Sequence, residues 1–186
     1  MKKIWMLLLL PFVLMGCGGK NQQLEQVMDF RADLLASMGC SFEAVITADY
    51  QDSLYTFTVS CRSDESGGLT FTVIEPETIS GISGKINAEG GALTFDEEVL
   101  AFEMLADGQL TPVAAPWIFI KTLRGGYIAS CGEAGELTRA SIDDSYEEDA
   151  LRLDIWFRED NKPVRAEILY ADRRILSLEV KNFEFL

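Results

Sequence analysis

From Ser41 onward apolar residues recur at every second position, and this alternation restricts the fold more than any other property of the chain. Phe42, Ala44, Ile46, Ala48 and Tyr50 share one face, while Ser41, Glu43, Thr47 and Asp49 fall on the other. The pattern resumes after Gln51-Asp52-Ser53, with Tyr55, Phe57, Val59 and Cys61 set against Thr56, Thr58 and Ser60. It returns as Leu69, Phe71 and Val73 after a polar loop closed by Gly67-Gly68, and stops at Pro76. Side chains of a strand point alternately to opposite faces. Such runs, separated by short turns, specify an antiparallel meander with one apolar and one wet face.

The rest of the chain is read the same way. Short strands are expected near Gly81–Ala88 and Ala92–Asp96, while Val99–Leu105 fits a strand or a helical turn equally. Tyr127–Cys131 and Glu136–Ile142 make a pair joined through Gly132 and Gly135. Leu151, Leu153, Ile155 and Phe157 alternate with Arg152, Asp154, Trp156 and Arg158, and Asp160-Asn161-Lys162-Pro163 is a turn signal. Val164–Tyr170 and Ile175–Phe185 form a closing hairpin around Ala171-Asp172-Arg173. In its last strand Ile175, Ser177, Glu179, Lys181 and Phe183 alternate with Leu176, Leu178, Val180 and Asn182, so both faces carry apolar groups.

Two segments have helical spacing instead. Leu24, Val27, Met28, Leu34, Leu35 and Met38 lie three and four apart, which predicts an amphipathic helix over Leu24–Met38, ended by Gly39 in a left-handed conformation and packed on the sheet. Trp117, Ile118, Ile120 and Leu123 follow Pro112 and Pro116 and predict a short helix ending at Gly125-Gly126. Nine or ten strands with two helices imply a mainly β, α+β fold. The expected architecture is a single strongly curved antiparallel sheet, an unclosed half-barrel, with the N-terminal and mid-chain helices covering its concave face.

Ahead of this body stand Lys2 and Lys3, the uncharged apolar run Ile4–Met15, and Gly16-Cys17. The run is shorter than the roughly 20 residues a bilayer-spanning helix needs, so it reads as an export signal. Leu14-Met15-Gly16-Cys17 resembles the lipobox of bacterial lipoproteins, in which the cysteine is lipidated and becomes the first mature residue. The expected division is a signal peptide over residues 1–16, a tether over 17–23 and one folded domain over 24–186. Cys17 is the expected lipidation site, and it would place the protein in the bacterial envelope, anchored on the outer face of the cytoplasmic membrane.

Composition removes several function classes. The formal charge is −14 at pH 7, and loss of Lys2 and Lys3 with the leader makes it more negative. Nucleic-acid affinity comes largely from cationic side chains, so no nucleic-acid partner is expected. Attachment to a membrane must come from the lipid rather than from charge. The chain has no histidine, hence no Ser-His or Cys-His activation and none of the commonest transition-metal ligand. Ser60, Ser130 and Ser145 lack a G-x-S-x-G context. The acidic run Asp143, Asp144, Glu147, Glu148 and Asp149 lacks the alternating spacing of a calcium loop and reads as a solvated turn. No enzyme activity, metal or cofactor is therefore expected.

Two candidate sites remain besides Cys17. If Tyr50 and Ser53 bracket the first turn, Cys61 falls opposite Phe42, with Cys40 its diagonal neighbour. A Cys40–Cys61 disulfide and three free buried thiols are the two readings, and Cys131 can replace either partner. Tyr55, Phe57, Phe71, Phe102, Trp117, Phe119 and Tyr127 form the second candidate: either the lining of an apolar groove for a ligand or the ordinary core between helix and sheet.

The order of elements resembles the LolA-like superfamily, which includes lipoprotein carriers, their lipidated receptors, anti-sigma regulatory proteins and lipoproteins of spore-forming bacteria. Ala48-Asp49-Tyr50, the segment Pro76–Gly84 (PETISGISG), and Asp107-Gly108 through Pro116-Trp117 are similar to its Gram-positive lipoprotein branch, which includes spore-germination lipoproteins. The resemblance implies a non-enzymatic lipoprotein that binds an apolar ligand, a lipid or acyl chain, in the curved sheet. Alternatively it implies an accessory protein that stabilises or recruits an envelope enzyme such as a spore-cortex amidase.

Overall fold

The computed structural model describes residues 22–50, 53–95, 98–102, 105–106, 109–147 and 150–186, with Phe102, Leu105, Ala106 and Gln109 described by their backbone alone. The leader, Cys17 and most of the tether lie outside the described residues.

Helix α1 (Gln22–Ala36) leads into a meander of β1 (Gly39–Asp49), β2 (Leu54–Asp64), β3 (Leu69–Glu75), β4 (Ser83–Asn87), β5 (Gly90–Phe95) and β6 (Glu98–Phe102). A small hairpin of β7 (Leu105–Ala106) and β8 (Gln109–Leu110) precedes helix α2 (Ala115–Gly125). The chain then runs through β9 (Tyr127–Ala134), β10 (Leu137–Asp143), β11 (Leu151–Phe157), β12 (Pro163–Tyr170) and β13 (Arg173–Phe185). Eleven strands form one unclosed antiparallel sheet in the order β6-β5-β4-β3-β2-β1-β13-β12-β11-β10-β9, with β7 and β8 separate. This is the expected mainly β architecture with its two helices. The strand count exceeds the expected nine or ten because residues 98–102 pair with β5 and the β7–β8 hairpin forms beyond them.

Local chemistry sets the turns. Asp64 caps the β2–β3 turn: its Oδ1 accepts bonds from Ser66 N at 2.9 Å, Ser66 Oγ at 2.6 Å and Gly68 N at 3.0 Å. These bonds, led by the Ser66 hydroxyl, hold the Asp64 carboxyl below its ordinary pKa. The β9–β10 turn falls at Gly135-Glu136, where Gly135 takes φ +67°, so Gly132 sits inside β9 rather than in the expected connection. Between β12 and β13, Ala171 and Asp172 take φ +48° and +60°, the signs a type I′ hairpin requires.

The last strand departs from simple alternation. Ser41 pairs with Glu184, but Glu43 pairs with Lys181, so one extra residue is accommodated near Asn182, whose φ is +52°. Past this bulge Phe183 turns onto the face of Leu176, Leu178 and Val180 and is 3% exposed, against the expectation that it shares a face with Lys181. Phe183 thereby joins an aromatic cluster. The Phe30 ring lies 5.0 Å from Phe157, 5.4 Å from Phe183 and 5.5 Å from Phe185, and Phe42 meets Phe119 edge-on at 5.5 Å.

Helix α1 buries Val27, Phe30 and Leu34, at most 1% exposed, whereas Leu24, Met28, Leu35 and Met38 are 39–73% exposed. Four of the six residues expected on the sheet therefore face outward, and Phe30 is an anchor the spacing argument missed. Gly39 has a positive φ of +147°, extended rather than left-handed helical, and begins β1. A Cβ there would stand 2.1 Å from the Ser63 carbonyl oxygen, so only glycine fits this crossing.

Candidate functional site

One row of directly paired positions crosses six strands on the concave face: Phe42–Cys61–Phe71–Gly84–Leu93–Leu100. Its first three members are 2–3% exposed, Leu93 is half-buried, and Leu100 is 67% exposed. The same face that forms the core at β1–β3 thus continues into open surface at β5–β6, apolar there except for exposed Glu98 opposite Phe95. Phe95, two residues from Leu93 and so on that face, is 56% exposed. Register also places Phe102 on it, opposite Gly91. Gly84 enables this continuity: a Cβ there would stand 2.6 Å from the Phe71 ring, which lies over the strand where a side chain would be.

The open stretch exists because the helices cover only part of the sheet. The main contacts of α1 and α2 with the sheet fall on β1, β9, β10, β12 and β13, while Arg124 of α2 also donates to the Glu65 carbonyl in the β2–β3 turn at 2.7 Å. Phe119 on α2 is fully buried against Phe42 of β1, and Trp117, 4% exposed, lines a cleft between α2 and the β2–β3 and β4–β5 turns. Tyr50 donates its hydroxyl to the Leu110 carbonyl, fastening the β7–β8 hairpin against the end of β1.

The seven aromatic candidates divide accordingly. Phe57, Phe71, Trp117 and Phe119 belong to the packed core, with 0–8% exposure. Tyr55 is 54% exposed, with its ring 6.2 Å from Tyr50. Tyr127 lies apart, 43% exposed, its ring tilted 35° against that of Tyr146 with the centroids 3.6 Å apart. The side chain of Phe102 lies outside the description. Leu93, Phe95 and Leu100, which do form an uncovered apolar surface, were not singled out from sequence. The signal was present in the alternation of Leu93 and Phe95, but nothing in a one-dimensional pattern says where a helix stops covering a sheet.

Among the described residues, Cys40, Cys61 and Cys131 are free thiols. Tyr50 N donates to Ser53 O at 3.0 Å, and this turn gives the expected register of Phe42 opposite Cys61. Cys40 then pairs with Ser63, its Sγ 3.2 Å from Ser63 Oγ, and of the two readings the structure has the free thiols rather than a Cys40–Cys61 disulfide. Diagonal cross-strand neighbours sit about 7–8 Å apart, beyond ordinary disulfide reach. Burial pushes the Cys40 and Cys61 thiols above their ordinary pKa, as it does Cys131.

The acidic run has structural partners. Asp143 accepts from Arg152 Nε at 2.8 Å, and Asp144 accepts from Leu151 N at 2.8 Å and lies 3.6 Å from Lys121 Nζ. Glu148 and Asp149 lie outside the described residues, and among the described residues no cluster of three metal-ligating side chains occurs. A cleft of about 720 Å³ opens between the start of α1 and the β9–β10 turn, but Glu25, Asp29, Glu133, Glu136 and Glu159 line it. Such a wall repels anions and offers an acyl chain nothing. The apolar stretch at β5–β6 is the better site.

No protein-family model matches the chain, and no curated protein matches its sequence. Among solved structures it is similar to a LolA superfamily protein of Nitrosomonas europaea, with 6% identity and a TM-score of 0.49, over 87% of this chain and 93% of that one. It is also similar to the lipoprotein LppX of Mycobacterium tuberculosis, with 11% identity and a TM-score of 0.41, over 87% and 93% of the two chains. A third is LprF of Mycobacterium bovis, with 8% identity and a TM-score of 0.41, over 88% and 93%.

Proposed function

We propose that this chain is a non-enzymatic lipoprotein of the bacterial envelope, held by lipidated Cys17 on the outer face of the cytoplasmic membrane, that binds an apolar ligand on its curved sheet. The ligand class is a lipid or the acyl chain of one. The observation that carries the reading is the row Phe42–Cys61–Phe71–Gly84–Leu93–Leu100, which extends a core-type face beyond its helical cover. Burying a Leu or Phe side chain fully is worth about 1.5–3 kcal/mol. Covering Leu93, Phe95 and Leu100 therefore supplies useful affinity without displacing either helix. In this reading the packed half of the sheet is a rigid frame and the β5–β6 end is the binding surface. The absence of histidine from the sequence and the lipobox at residues 14–17 support a tethered binding protein over a catalyst.

Two measurements test it. Native mass spectrometry of protein extracted from membranes should find a co-purified lipid mass. Wild-type protein should also take up a fluorescent fatty acid that Phe95→Asp and Leu100→Asp variants take up several-fold less well, with unchanged thermal unfolding. No lipid mass together with no uptake would sink the ligand-binding reading.

A second reading has its own observation. Strand β6 is a sheet edge without Lys, Pro or Gly, and Val99 and Leu100, on opposite faces, are 68% and 67% exposed. Unprotected edges recruit further strands. An accessory role, with an envelope enzyme such as a spore-cortex amidase as partner, uses this edge. Capture from the native envelope that returns one dominant protein, lost on Val99→Pro, would favour it over lipid binding.

A further inference from the structure

We propose that the outward apolar stripe of α1, formed by Met28 and Leu35 with Met38 beyond the helix end, seats in the lipid–water interface of the membrane that anchors the chain. The inference rests on Cys17 being lipidated, but concerns a surface separate from the ligand face at β5–β6.

A helix that packs on one sheet needs one apolar stripe, and α1 has that in Val27, Phe30 and Leu34. It carries a second one beside it. Met28 and Leu35 are 48% and 51% exposed, and a separation of seven residues places them two turns apart on one line. Exposed Ala32 lies between them, and Met38 continues the direction at 73% exposure. Large apolar side chains aligned on the wet side of a helix mark a contact.

The position of the stripe identifies the occupant. Cys17 and Gln22 are separated by five residue steps, which span at most about 17 Å when fully extended. A lipid on Cys17 thus keeps the start of α1 within that distance of the bilayer surface. The stripe begins only six residues, or about 9 Å of helix, further on. Charge gives the contact its character. The acidic residues Glu25, Asp29 and Asp33 project from the neighbouring side of the helix, and the single cation of α1, Arg31, donates Nε to the Leu123 carbonyl at 2.7 Å rather than facing a headgroup. The contact is apolar, unlike that of a basic amphipathic helix. Three side chains hold a free protein weakly, but tethering turns the second contact into an intramolecular one at high effective concentration.

The test uses the lipidated chain purified from membranes and reconstituted into phosphatidylcholine vesicles. In a Cys131→Ser background, single cysteines replace Met28, Leu35 or, as a control, Asp33, and each is labelled with an environment-sensitive fluorophore. Circular dichroism checks that each variant folds. At positions 28 and 35, quenching by aqueous iodide should be several-fold slower in vesicles than at position 33, and raising the salt concentration should leave the difference in place. Intact mass and vesicle flotation report the anchor independently. A chain that carries its lipid and floats, yet is quenched equally at all three positions, overturns the membrane seat and leaves the lipoprotein reading standing. The same holds if protection at 28 and 35 appears only when a protein extract is added. A chain without the lipid mass overturns both.

Discussion

Gly39 shows how much one position can decide. It stands where α1 gives way to β1, with φ +147° and the Ser63 carbonyl where a Cβ would be. Gly39→Ala should therefore destabilise by more than about 2 kcal/mol, read as a lower urea midpoint at unchanged slope. On the adjacent strand, Cys61 is held neutral by burial, and so is Cys40 on β1 itself. A thiol whose folded pKa is raised contributes its full stabilisation below its unfolded pKa, and that contribution is lost as pH rises from there toward the folded value. The ordinary value is 9.0. Stability should then fall above about pH 9, by up to about 1.4 kcal/mol per pH unit for each thiol. A Cys61→Ala variant, though less stable at neutral pH, should lose less on going alkaline. Denaturant titrations at pH 7 and pH 10 compare the two slopes.

At the level of elements, α1 presents two stripes with different energetic weight. Phe30 touches three aromatic rings and is fully buried, so Phe30→Ala should cost about 3–5 kcal/mol. Leu35→Ala, on the exposed stripe, should change stability by no more than about 0.5 kcal/mol. Chemical unfolding of the pair measures the contrast, and equal losses would mean that α1 packs through both stripes. Spacing in the sequence cannot make this distinction. Val27 and Met28, like Leu34 and Leu35, are adjacent residues about 100° apart on the helix, and both fit a three-and-four pattern. The sheet contacts one stripe because α1 crosses β9 and β10 at one rotation. Strand β13 teaches the same lesson, since strict alternation puts Phe183 with Lys181 and only the bulge near Asn182 carries it into the core.

For the whole molecule, the proposed reading rests on Cys17. Cys17→Ser should move the protein from the membrane to the soluble fraction, because a chain with formal charge −14 has no electrostatic hold on an anionic bilayer. Cell fractionation checks this, and a Cys17→Ser form that still pellets with membranes would overturn the proposed anchor.

The sequence by itself determined the class of fold. Period-two alternation with glycine and Asx turns leaves little choice but an antiparallel meander, and the type and order of most elements follow from local chemistry. It also determined that histidine-based catalysis is excluded, since absence of a residue type needs no coordinates. Tertiary structure decided which apolar residues are core and which are surface. Phe57, Phe71, Trp117 and Phe119 look like a groove lining in one dimension and are packed core in three. Phe95 and Leu100 look like more of the same core and are open, with Leu93 half-buried at its margin. Burial depends on how far the helices reach across the sheet, a long-range property set by packing between segments distant in the chain, which no local pattern of residues encodes.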